Sequence, residues 1–236
     1  MSNQSKLAAL ASTGVTKAEL NNIDGGTARG TTAVADGDGF LTNDGGTMRM
    51  TKVDTLATYM GTKITGGSMV FIASSGAISN AATVDFTQFD STKYDSYQFR
   101  FIDILPVTDD VELRAITSSD TSSHSYDTGS ADYIRQGNST ATAAFGQLAS
   151  NFGIGNGTQE RSNLVVDVLN PHTTNYTRVV TGGMLSRSQG YPAGLGAAVD
   201  VFTRAEAAQV NAIRFFLESG NISAGEIVMY GIANGT

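Results

Sequence analysis

Between Tyr94 and Leu105 the chain reads Tyr-Asp-Ser-Tyr-Gln-Phe-Arg-Phe-Ile-Asp-Ile-Leu, with Tyr97, Phe99 and Phe101 alternating with Ser96, Gln98 and Arg100. A period of two puts the rings on one face of a strand and the polar groups on the other, as in a sheet with one buried and one wet face. Pro106 ends the run, Asp109-Asp110 turns the chain, and Val111-Glu-Leu-Arg-Ala-Ile-Thr returns with the same alternation. Ser68–Ser74 and Ala82–Phe89 precede it as strands; Ala131–Arg135, Leu164–Leu169, Tyr176–Thr181, Ala198–Phe202, Ala212–Leu217 and Glu226–Ile232 follow. These strands, joined by Gly-, Ser- and Asn-rich loops, predict an all-β sandwich or barrel from residue 66 to residue 236. Near its end Ser219-Gly220-Asn221 turns the chain, Ile222 tucks beneath it, and Gly225 releases the last strand. Ala141–Phe152 fits either a helix or an irregular connection.

Residues 1 to 65 follow another grammar: polar, glycine-rich and poor in strand formers. Thr16 and Glu19 have the spacing of a capping box, Leu20 and Ile23 share the face of the turn that follows, and Asp24-Gly25-Gly26 stops it. Asn43-Asp44-Gly45-Gly46 is a hairpin turn signal between two short extended pieces. Thr51 or Asp54 then caps a helix that places Val53, Leu56, Ala57 and Met60 on one stripe, and Gly61 ends it. Pieces this small bury too little to stand alone and need a partner.

Two of these segments resemble elements of tailed-bacteriophage virion proteins. Gly14–Thr27 is similar to a Val-Thr-Ala-Ala-Glu-Leu-Asn-x-x-Asp-Gly-Val-Thr element of tail fibres; Val15, Thr16, Ala18, Glu19, Leu20, Asn21, Asp24, Gly25 and Thr27 match, while Lys17 and Gly26 depart. Gly39–Gly61 looks like a second, hairpin-then-helix element found near the N-termini of marine-phage fibres. The C-terminal part resembles the jelly-roll domains of phage fibres and decorations, through Tyr94-x-x-Tyr97-x-Phe99-x-Phe101 and the ending Ile213-Arg-Phe-Phe to Tyr230-Gly-Ile232.

The resemblance implies a fibre-type virion structural protein, assembled in the host cytoplasm. It is mainly β, with a jelly-roll sandwich at residues 66–236 behind a small, extended, partly helical attachment and oligomerisation region at residues 1–65. Val15, Leu20, Ile23, Phe40, Leu41, Val53, Leu56 and Met60 would make the attachment contacts. The implied partners are sister chains, in a homotrimer, other tail or capsid proteins, and a host-surface glycan. A capsid decoration or head-fibre protein is the alternative, and a glycan depolymerase a remote one.

The residues support few other classes. A net charge of −7 with scattered Lys and Arg argues against nucleic acid as partner. Cysteine is absent, so there is no disulfide framework, thiolate nucleophile or Cys-ligated zinc. No apolar stretch approaches the about 20 residues of a helical membrane span, and the start lacks the apolar core of a signal peptide. His124 and His172 fall in polar loops and are expected to be solvated rather than general bases. Gly153-Ile-Gly155-Asn-Gly157 lacks the third glycine of a dinucleotide fingerprint. Asp36-Gly-Asp38-Gly lacks a third oxygen ligand for calcium at Phe40. Asp109 with Asp110, Asp120 with Asp127, and Glu218 with Glu226 are the candidate carboxylate pairs for glycan hydrolysis. No catalytic residue, metal or cofactor is expected. Sugar recognition needs aromatic platforms with amides and carboxylates close by, and Tyr126, Tyr133, Tyr176, Arg187, Gln189 and Tyr191, in or beside polar loops, are the expected contacts.

Overall fold

The computed structural model describes residues 31–63, 69–135, 142–148, 153–172, 175–187 and 194–233. The chain divides into two compact units, Met1–Ile64 and Thr65–Thr236.

The described part of the first unit is a hairpin, β1 (Gly39–Asp44) and β2 (Thr47–Lys52), followed directly by helix α1 (Val53–Lys63). The turn is the one the sequence signals. Gly45 and Gly46 take φ of 58° and 94°, which glycine adopts without a Cβ clash, and the Gly46 amide donates to Asn43 Oδ1 at 2.7 Å. The helix start differs from expectation. Neither Thr51 nor Asp54 caps it with a side chain; the Val53 and Asp54 amides donate to the backbone carbonyls of Asp38 and Asp36, at 2.8 and 3.3 Å. The Thr51 hydroxyl faces that of Thr42 instead, at 2.6 Å. The loop read for calcium is thus a backbone cap, with Asp38 Oδ2 accepting from the Ala35 amide at 2.9 Å. Gly61 does not end the helix, which continues to Lys63.

The second unit is an antiparallel β-sandwich, and the mainly-β class expected from the alternation is the one that forms. Its strands are β3 (Met69–Ser74), β4 (Ile78–Ala81), β5 (Thr83–Phe86), β6 (Tyr94–Pro106), β7 (Leu113–Ser118), β8 (Tyr133–Arg135), β9 (Thr142–Ala143) and β10 (Gly146–Gln147). They continue with β11 (Ser162–Leu169), β12 (Arg178–Arg187), β13 (Gly194–Arg204), β14 (Ala212–Leu217) and β15 (Ile222–Ala233). A four-stranded sheet runs β10-β7-β14-β5; a nine-stranded one runs β3-β15-β6-β11-β12-β13-β8-β9, with β4 also pairing β15. Where the sequence left Ala141–Phe152 open, the described residues form the two short strands β9 and β10. Val111 makes only an isolated bridge with Ile154, because Asp110 turns the chain with φ 55° just before it.

The core lies between the sheets. Tyr97, Phe99 and Phe101 of β6 point inward and are buried, while Gln98 bonds Asp167 on the outer face at 2.9 Å. Leu164, Val166 and Val168 of β11 and Phe202 of β13 extend the same layer, and Leu113, Ala115, Ile213 and Phe215 oppose it from the smaller sheet. Gly225 does not release β15 but sits inside it, at a register shift with φ 127°. A Cβ there would lie 2.9 Å from the Ile102 carbonyl oxygen, so the bulge admits only glycine without displacement.

Burial also sets an alkaline limit. Desolvation pushes the hydroxyls of Tyr97, Tyr126 and Tyr133 up from 10.0 to about 12. Above pH 10 the unfolded chain releases protons that the folded chain still holds, so stability falls as pH rises from 10 towards 12. The expected result is a late-ionising tyrosine class whose release coincides with loss of the β signal, followed by tyrosinate absorbance and circular dichroism. Ionisation of every tyrosine in one class, with the fold intact, would contradict it.

Candidate functional site

The first unit has an unusual surface. Of its described residues 31–62, none is buried, yet they include Phe40, Leu41, Met48, Met50, Leu56, Tyr59 and Met60. Leu41 pairs across the hairpin with Met50, and Asn43 with Met48. Residues two apart share a face of the strand, so Leu41, Met48 and Met50 form one apolar face, with Leu41 53% and Met50 68% exposed. On α1, Leu56 and Met60 extend the helical stripe from the half-buried Val53 and remain exposed, as does Tyr59. Phe40, Leu41, Val53, Leu56 and Met60, the described members of the expected attachment set, all belong to this unit. Val15, Leu20 and Ile23 lie outside the described residues. Met48, Met50 and Tyr59 were missed, although the alternation of the methionines with Arg49 carried the signal.

The expected glycan contacts fare differently. Tyr133 is 0% exposed: its hydroxyl accepts from the Thr117 amide at 2.7 Å and donates to the Asp127 carbonyl at 3.1 Å. It is a core residue, placed there because β8 pairs with β13 and aims the ring edge-on at Phe202, 5.7 Å between centroids. Tyr126 is half-buried, and one face of its ring is covered by the Arg214 guanidinium at 4.2 Å, itself held by Asp85 through two bonds of 2.7 and 2.6 Å. Tyr176 is 49% exposed. Arg187 ends β12, and Gln189 and Tyr191 lie outside the described residues. No aromatic cluster forms among the described members of this set.

The chemistry-bearing groups are mostly tied into the fold. His172 is not a solvated loop residue: its Nε2 lies 2.8 Å from the Tyr97 hydroxyl, which accepts from the Asp90 amide at 2.6 Å. Burial lowers its pKa from the usual 6.5, which favours the neutral ring. His124 Nδ1 donates to the Asp120 carbonyl oxygen at 2.9 Å. Among the paired carboxylates, Asp109 accepts from the Asn156 amide and Asp120 from that of Ser125. Glu218 pairs with Arg114 at 2.8 Å, and Glu226 accepts from the Ser74 hydroxyl. Asp127 shares Arg204 with Glu206, at 2.8 and 2.7 Å. That clamp borders a cavity of about 280 Å³ that also touches Asp132. Among the described residues no three His, Asp or Glu side chains converge as a metal set.

A larger cleft, of about 550 Å³, opens beside β3, the terminal strand of the nine-stranded sheet. Phe71 comes from β3, Gln88, Phe89, Asp90, Lys93 and Tyr94 from the β5–β6 connection and the first residue of β6, and Gln209 from the loop before β14. Asp90 Oδ1 accepts from the Thr92 amide and hydroxyl, and Oδ2 pairs with Lys93 at 2.9 Å. These donors, the Thr92 hydroxyl first, lower its carboxyl from 3.8 to about 2, so it stays a carboxylate. Sequence reading missed this cleft because its parts are contiguous only once β3 pairs with β15. Compared with known protein families, curated proteins and solved structures, the chain matches none.

Proposed function

We propose that the chain is a fibre-type structural protein of a bacteriophage particle, without enzymatic activity. The first unit would join it to sister chains or to another virion protein, and the sandwich would be displayed towards the host surface. The observation that carries the reading is the exposed apolar surface of the hairpin and helix. An apolar face this large for so small a unit is an interaction surface rather than a stable exterior, and the most economical occupant is the same face of another copy. The resemblance of Gly14–Thr27 and Gly39–Gly61 to fibre elements supports the same reading. The engagement of the candidate carboxylates in turns and ion pairs supports a non-catalytic role.

The reading predicts an oligomer, a trimer for a fibre, in light scattering of the purified chain at micromolar concentration. Met50→Asp and Leu41→Asp, at exposed positions that cost the fold little, are expected to weaken assembly by about tenfold or more each, since every 1.4 kcal/mol of lost contact is a factor of ten. A monomer would reject the self-assembly. Labelled protein on intact particles separates the locations: signal at the tail supports adhesion, signal over the head supports decoration. Release of reducing ends from host polysaccharide would overturn the non-enzymatic role.

A further inference from the structure

We infer that the Phe71–Tyr94–Gln209 cleft is a binding site for a neutral, hydroxyl-rich saccharide. The inference deepens the adhesive part of the proposed function and rests on it.

Phe71 is 61% exposed. It meets Tyr230 with centroids 6.2 Å apart and planes at 78°, and the greater part of its side chain remains open to water beside that contact. A benzene face open to water beside a cleft is a platform for the C–H face of a pyranose. Tyr94 supplies a second ring. It packs against Gly231 of β15, where a Cβ would overlap the ring, so the missing side chain is what lets Tyr94 approach the sheet. Phe89 and Tyr97, with centroids 4.5 Å apart, back the cleft from the core side and fix the connection that carries Asp90.

The polar groups suit hydroxyls. A carboxylate offers about four acceptor positions; Thr92 takes two at Asp90 and Lys93 a third, leaving one for a sugar hydroxyl. Lys93 gives one of its ammonium protons to Asp90 and keeps others for hydroxyl oxygens. The Gln209 amide nitrogen bonds Asn211 Oδ1 at 3.0 Å, which orients the side chain and leaves its carbonyl oxygen as an acceptor. The carboxylate and ammonium cancel within the cleft, and the chain carries −7 overall, so a polyanionic glycan is disfavoured. A purely apolar ligand is disfavoured too, because it would cover the ion pair and amide without replacing their water contacts. The volume, about 550 Å³, falls within the range of small-ligand sites.

Saturation-transfer NMR on the full chain tests this with maltohexaose, a mannohexaose and a galactotetraose as neutral probes and polygalacturonate as the acidic one. At least one neutral probe is expected to receive saturation. Phe71→Ala and Gln209→Ala, both outside the core, are expected to weaken its binding about tenfold or more, while Val199→Ala, at an exposed position of β13 that does not line the cleft, leaves it unchanged. Absence of transfer to every neutral probe overturns the inference, as does preference for polygalacturonate or equal binding by the wild type and the Phe71 variant. Light scattering on the same samples separates the two readings: an oligomer that binds no sugar ends this inference alone, and a monomer that binds one ends only the self-assembly.

Discussion

Phe215→Ala is expected to lower the stability of the sandwich by about 4 kcal/mol. Phe215 stands on β14 in the smaller sheet and is fully buried. Its ring meets Phe101 and Phe99 of the larger sheet edge-on, at 4.9 and 5.1 Å between centroids, and Phe86 of its own sheet at 6.2 Å. Truncation removes the apolar area and leaves a cavity that two hydrogen-bonded sheets cannot collapse to fill, which places the cost in the upper part of the range for large-to-small changes. The three aromatic pairs add a geometric contribution of about 0.5–1.5 kcal/mol each, part of which is lost with the ring. Phe215→Leu, which keeps most of the volume, is expected to cost about 1.5 kcal/mol or less. Urea unfolding followed by near-ultraviolet circular dichroism measures both. Similar midpoints for the alanine variant and the parent would mean that the sheets do not close over this ring.

Arg204→Ala is expected to cost about 3 kcal/mol, by another mechanism. The Arg204 side chain is 2% exposed and stands on β13 beside the core. Its Nε and Nη2 donate to Asp127 Oδ2 at 3.1 and 2.8 Å, and Nη2 reaches Glu206 Oε2 at 2.7 Å. Removing the cation leaves Asp127, which is 28% exposed, beside Glu206 with no counter-charge. It also removes the ion pair between the β7–β8 connection and β13. The remaining access of Asp127 to water keeps the cost at the lower end of that for a broken buried pair. Arg204→Leu combined with Asp127→Asn removes both charges and is expected to recover part of the loss, so a double-mutant cycle in urea should give a coupling of about 1 kcal/mol or more. Additive effects would show that the clamp contributes through packing alone.

The elements legible in the chain were those specified by neighbours in sequence. The alternation at Tyr97, Phe99 and Phe101 marked the buried face of β6 because a period of two leaves no other arrangement. Asn43-Asp-Gly-Gly marked the hairpin, since two successive residues with positive φ demand glycine. The Val53–Met60 stripe marked the helix, though not its cap, which comes from carbonyls of a loop that no motif describes.

The misplacements share a cause. Tyr126 and Tyr133 sit among Ser, Thr and Asp and read as surface sugar contacts, the latter within the expected strand Ala131–Arg135, yet β8 turns Tyr133 into the core and Arg214 stacks on Tyr126. His172 has polar neighbours in its loop and two aromatic ones in space, Tyr97 and Phe89.

What the amino-acid order determined alone is therefore the β class and the interior faces of the long strands. The tertiary structure alone decided which aromatics reach water and stand together. Phe71, Asp90, Tyr94 and Gln209 converge through strand pairings between residues far apart in the chain. Local preferences act over a few bonds, whereas exposure and proximity depend on which distant strand supplies the neighbouring hydrogen bonds.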